Sequence, residues 1–144
     1  RLLDDLKPGR ELQVTALSYW EPGAAKVHEL RRSRVGGMGH ACEFETSFQL
    51  ATRPELVHME RLEGVRAPLV GWDLVAPGEP SRTYGPWPEP SDSHPAIFGD
   101  PTVATAESGE RFLDAVLEAL EAFGRELDAG RGGSYATRGG EDAP

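Results

Sequence analysis

The sequence predicts an α/β chain. Three stretches predict it: a run of strand formers, ELQVTALSYW (11–20), a helix with an apolar stripe at 40–52, and a longer amphipathic helix at 101–129. A second strand is possible in APLVGWDLVAPG, within a segment dense in Pro and Gly. A parallel sheet built from such strands has to be covered by helices on both faces.

Taken in order, RLLDDLKPG (1–9) reads as the last turns of a helix. Leu2, Leu3 and Leu6 share a face, Lys7 suits the negative end of the dipole, and Pro8-Gly9 stops it. The expectation is that the chain enters in mid-helix. The strand at 11–20 follows, and then a short helix at 23–33 (GAAKVHELRRS). Residues 36–39 are a loop, and 40–52 are a helix stopped by Pro54. Residues 54–64 hold a short second helix or a turn. The irregular stretch 65–98 is of the length that often lines a site or an oligomer contact. Asp100 is a good N-cap with Pro101 at the first helical position. Leu113, Val116, Leu117, Leu120, Phe123 and Leu127 follow helical spacing, so this last helix docks on a core. GRGGSYATRGGEDAP (130–144) is a flexible tail. The organisation expected is one domain over 1–129 and a tail over 130–144, with no internal repeat.

The totals exclude several classes. A net charge of −9 repels nucleic-acid phosphates and anionic lipid, so neither is an expected partner. No apolar run approaches the roughly 20 residues of a membrane span. The single cysteine, Cys42, rules out an internal disulfide and fits a reducing cytoplasm. Hydrophobic content of 38%, with 17 Gly and 12 Pro, leaves much of the chain for loops around a moderate core.

RVGGMGHACEFETS (34–47) concentrates the chemistry. On a helical wheel Ala41, Phe44, Phe48 and Ala51 form the buried stripe, Glu45 lies about 80° from its centre and Glu43 about 120° away on the other side. Glu45 is therefore expected to be the more buried carboxylate, and a buried carboxylate needs a hydrogen bond, a charge partner or a metal. His40, about one turn before it, makes a candidate acid/base or metal pair. Cys42 is two residues from His40, and such residues diverge on a helix, so a Cys–His nucleophile is disfavoured. The glycines could cradle a phosphate, but no P-loop Lys-Ser/Thr follows and Glu43 would repel an anion. His28, His58 and His94 read as solvated side chains.

GGMGHACEFETSFQLATRPELVHME (36–60) and FGDPTVATAESGERFLDAVLEALEAF (98–123) together resemble the creatinine amidohydrolase (creatininase) family. The first carries a Gly-His-Ala turn, Glu-Thr-Ser and Arg-Pro-Glu-Leu-Val. The second carries Gly-Asp-Pro, Ala-Thr-Ala and Gly-Glu before the last helix. The resemblance covers residues 1–127 and implies a three-layered α/β/α fold with a mostly parallel sheet. It implies a metal-dependent amidohydrolase with one or two divalent ions, zinc or manganese. His40 matches the family's catalytic histidine, which transfers a proton to the leaving nitrogen. Glu45 matches the metal-proximal glutamate. Cys42 departs from the family's usual glycine. Trp20, at the end of the first strand, and the loop glycines Gly37 and Gly39 are the expected substrate-contacting positions.

The family's Gly-Ser-x-Glu-Gln-His-Gly segment, later Asp and Asn-Gly-His-Gly-Gly-Asn turn have no counterpart in the sequence. The chain is therefore expected to be the C-terminal half of such an enzyme, with the N-terminal half as partner, a small-molecule amide as substrate and a homo-oligomeric assembly. The rival expectation is a non-catalytic remnant or interaction subunit that binds no metal alone.

Overall fold

Residues 15–63, 73 and 96–129 are described by a computed structural model of the chain. The expected helix at 1–9, most of the 65–98 stretch with its possible strand and His94, and the tail at 130–144 lie outside the described residues. So does the first part of the expected strand at 11–20. Its later part is not a strand: residues 15–18 are irregular and 19–23 form a turn. The Glu21 carboxylate accepts from the Ser18 N–H at 3.1 Å, and the Glu21 N–H donates to the Ser18 carbonyl at 2.9 Å. Pro22-Gly23 then opens helix α1, Ala24–Leu30, inside the predicted segment. Trp20 thus sits in the turn into α1 rather than at a strand end.

Strand β1, Met38–His40, runs antiparallel to β2, Phe98–Gly99, with Met38 opposite Gly99 and His40 opposite Phe98. The glycine-rich segment expected as a loop is thus partly a strand. Gly99 makes the pairing possible. Its φ of +139° is open to glycine alone, and a Cβ there would lie 2.6 Å from the Gly37 carbonyl oxygen. This pairing also keeps His40 out of the helix that follows. Helix α2 spans Glu43–Thr52 with Cys42 as N-cap, three residues later than expected.

The last helix is shortened for a related reason. Asp100 caps only a 3-10 turn, Pro101–Val103, accepting from the Thr102 N–H at 3.0 Å. Ala104 is extended, and Thr105 restarts the chain as N-cap of α3, Ala106–Asp128, accepting from the Ser108 N–H at 3.0 Å. Two capping residues five apart divide what periodicity alone reads as one helix.

Helices α2 and α3 cross almost backbone to backbone: a Cβ on Gly109 would lie 2.0 Å from the Ser47 carbonyl oxygen. Around this crossing Phe44, Phe112, Val116, Val27, Ala24 and Met38 form the core, with the Phe44 and Phe112 rings 5.5 Å apart. Among the described residues this is a mixed α/β arrangement whose one strand pair is antiparallel, not the mostly parallel sheet expected. No helix among them is long and apolar enough to cross a membrane.

Candidate active site

Two buried carboxylates set the path of the chain into the site. Glu43, the first residue of α2, is fully buried and accepts the N–H groups of Arg32 and Ser33, both at 2.7 Å. Asp73 accepts from the N–H groups of Gly36 and Met38, both at 3.0 Å, and from the Arg31 guanidinium at 2.6 and 3.1 Å. The Arg31 and Asp73 side chains are 8% and 3% exposed, so the pair stands only because its remaining polar atoms are also bonded. Arg31 donates further to the Ser33 carbonyl and to the Arg34 carbonyl. The loop from Arg31 to Gly37 is thereby held at both ends, and the register of β1 with it.

The burial expected for Glu45 therefore belongs to Glu43, while the Glu45 side chain is 39% exposed. The wheel misassigned them because α2 starts at Glu43 and turns its Glu43, Phe44 and Ser47 face inward. Glu43 is also favoured there by the positive end of the helix.

His40 ends β1, and Ala41 follows at φ 48°, a left-handed conformation that costs a non-glycine residue about 1–2 kcal/mol. This bend reverses the chain into α2 and returns Glu45 beside His40. The His40 Nδ1 and Glu45 Oε1 atoms are 3.8 Å apart, with the histidine side chain 53% exposed. That distance is too long for a hydrogen bond.

Beneath them Cys42 is buried, its Sγ 3.8 Å from Glu45 Oε2. Burial pushes the thiol up to about 12, and the Glu45 charge adds to this against backbone hydrogen bonds that act the other way. The thiol stays protonated at neutral pH, which leaves the disfavoured nucleophile reading without a thiolate. Tyr19 closes this side, its ring stacked 6.3 Å from Phe44. Burial raises the Tyr19 phenol above its usual range, with Glu45 next in effect.

His40 and Glu45 line a cleft of about 370 Å³ whose lining also includes Gln49, Leu56, His58, Met59 and Ile97. His58 arrives on two 3-10 turns, Pro54–Leu56 and Met59–Leu62, where a short second helix or turn is expected. Its Nδ1 is 3.1 Å from Glu60 Oε1. The Glu60 carboxyl is held below the usual range by its own backbone N–H and then by His58.

The structure brings His40 and Glu45 together. It places Trp20, Gly37 and Gly39 elsewhere, since none of the three lines the cleft. Trp20 is half-buried on the core, and its indole N–H has no hydrogen-bond partner among the described residues. Gly37 is buried under Ser33, and its carbonyl accepts from the Asp100 N–H at 2.9 Å. Gly39 is buried within β1.

Sequence reasoning missed Gln49, His58 and Asp73. Gln49 was legible as one helical turn beyond Glu45. His58 had only the Pro54 break as a signal, and Asp73 had none, because its partners stand 35 to 42 residues away.

No group of three or more His, Cys, Asp or Glu suited to a metal occurs among the described residues. No curated protein and no solved structure matches the chain. The family model described as creatinine amidohydrolase, however, matches residues 3–123, most of the sequence, and carries both the β1–α2 corner and most of α3. The chain belongs to the creatininase family.

Proposed function

We propose that the chain supplies His40 and Glu45 to the site of a metal-dependent amidohydrolase acting on a non-peptide or cyclic C–N amide bond. The observation that carries this reading is the 3.8 Å approach of His40 Nδ1 to Glu45 Oε1 in the lining of one cleft. Family enzymes generally use a divalent metal. The Glu45 carboxylate would suit zinc or manganese as a ligand. Such an ion supplies polarisation of the amide carbonyl and an acidified water.

Glu45 is the carboxylate assigned to hold the ion, and Cys42 and Tyr19 border it from the core side. His40 faces solvent enough to exchange protons and hands one to the leaving nitrogen as the C–N bond breaks. A catalytic ion takes about three protein ligands and keeps one position open. Glu45 therefore needs ligands from elsewhere. We assign them to an N-terminal half that completes a three-layered α/β/α fold, in an assembly we take to be a homo-oligomer.

In the complete enzyme, Glu45→Gln is expected to lower metal content and amide hydrolysis together. His40→Ala is expected to keep the metal and lower the rate about 10²–10⁴-fold, the usual size of an acid/base contribution. Unchanged metal and rate in Glu45→Gln would remove Glu45 from the site. Metal loss in His40→Ala would make it a ligand instead. A complete enzyme that binds no metal and hydrolyses no amide would favour the non-catalytic interaction subunit.

A further inference from the structure

The cleft is lined by two unlike sets of side chains. One includes His40 and Glu45, and the other includes Leu56, Met59, Leu62 and Ile97. Met59 and Leu62 stand three apart in one 3-10 turn, where residues at that spacing eclipse, and Leu56 ends the turn before it. A single exposed leucine is ordinary on a protein surface. Here Leu56 is 66% exposed and lines the same cleft as Met59, Leu62, Ile97 and the His40–Glu45 pair. A volume of about 370 Å³ is at the small end for ligand clefts. It holds an amide with one ring or branched chain. Glu45, on a chain of net charge −9, disfavours an anionic substituent.

We propose that this apolar lining is a specificity subsite: the amide acted on carries a compact, uncharged apolar substituent, a branched alkyl group or one aromatic ring, beside its scissile C–N bond. The proposal rests on the amidohydrolase reading of His40 and Glu45. Leu56, Met59, Leu62 and Ile97 bury the substituent, and the amide is thereby held in the cleft that His40 and Glu45 also line. Selectivity comes from apolar area removed from water, so it grows with the size of the substituent until the cleft is full.

The test is binding, read by NMR of side-chain methyl groups on the full 144-residue chain. The probes are hydantoin, 5-isobutylhydantoin and 3-methylbutan-1-ol. 5-Isobutylhydantoin is expected to bind at least about 10-fold more tightly than hydantoin, the effect of burying two or three methylene equivalents. It should shift the methyl signals of Leu56, Met59 and Ile97, and the alcohol should bind more weakly than it does. Leu56→Ser, at an exposed position, should bring the two hydantoins within about 3-fold of each other with the melting temperature unchanged. Ile97→Thr should also reduce the preference. Equal affinity for the two hydantoins, no saturable binding, a preference untouched by both variants, or alcohol binding as tight as that of 5-isobutylhydantoin would each overturn the subsite. A complete enzyme without amide turnover, alongside an intact binding preference, would sink the amidohydrolase reading and leave the apolar subsite. Turnover without any such preference would do the reverse.

Discussion

Glu43, Glu45 and Asp73 stand around one corner of the fold, and what surrounds each carboxylate decides what it can do. Glu43 and Asp73 have their oxygens occupied by backbone N–H groups and, for Asp73, by Arg31, so they hold structure. Glu45 has His40 at 3.8 Å, the buried Cys42 thiol and Tyr19 beside it, and among the described residues no backbone N–H group occupies its oxygens. The pairing of His40 with Glu45 was legible from their spacing and from Glu-Thr-Ser. The burial of Glu43 was not, because it depends on where α2 starts, and a strand pairing with residues about 60 positions later decides that.

Cys42 gives a prediction at this scale. Its pKa rises from an ordinary 9.0 to about 12 on folding, so the folded chain keeps a proton that the unfolded chain loses between those values. Stability from this group is intact below pH 9 and declines as pH rises toward 12. The loss is at most about 1.4 kcal/mol per pH unit. Cys42→Ala should remove that part of the alkaline decline and leave neutral-pH stability within about 1 kcal/mol of the parent. Tyr19, raised in the same direction, keeps its own contribution above pH 10.0 in the variant. Urea unfolding at pH 7, 9 and 10.5 reads the difference. Identical pH slopes in parent and variant would contradict it.

At the scale of elements, α1 and most of α3 were readable because amphipathic periodicity and caps are local. The starts of α2 and α3 were displaced by three and five residues for two reasons. His40 was taken up by a strand, and Thr105 out-competed Asp100 as the cap of the long helix. The closeness of α2 to α3 was not legible, because the helix expected over 101–129 puts Gly109 two turns in and leaves its partner unnamed. Gly109→Ala should separate the two helices. The added methyl meets the Ser47 carbonyl, which belongs to helix backbone and cannot rotate away. Overpacking of this kind costs about 1–3 kcal/mol and more where backbone must move. Thermal unfolding should show a clear drop in melting temperature. A variant as stable as the parent would mean that the crossing is looser than described. Gly124, farther along α3 with open space around it, is the control, since alanine there should stabilise the helix slightly.

For the whole molecule, the fold serves as a mount for one corner. The α2–α3 crossing fixes one side, the Asp73–Arg31 and Glu43 anchors fix the incoming loop, and β2 fixes the strand that ends in His40. The family and the α/β character were legible in the sequence. Its sheet was not, since the strand pair described joins segments nearly 60 residues apart and runs antiparallel. The central claim is that Glu45, beside His40, holds a divalent metal on a chain whose acidic surface attracts cations everywhere. Manganese separates the two effects, because a paramagnetic ion broadens the NMR signals nearest to it first. Titrated with substoichiometric manganese, the complete enzyme should lose the His40 ring and Glu45 signals before those of the acidic α3 side chains Glu110, Glu118 and Glu121, and Glu45→Gln should abolish that order. Broadening that starts on α3, or spreads evenly while the His40 signals stay sharp, would contradict the account.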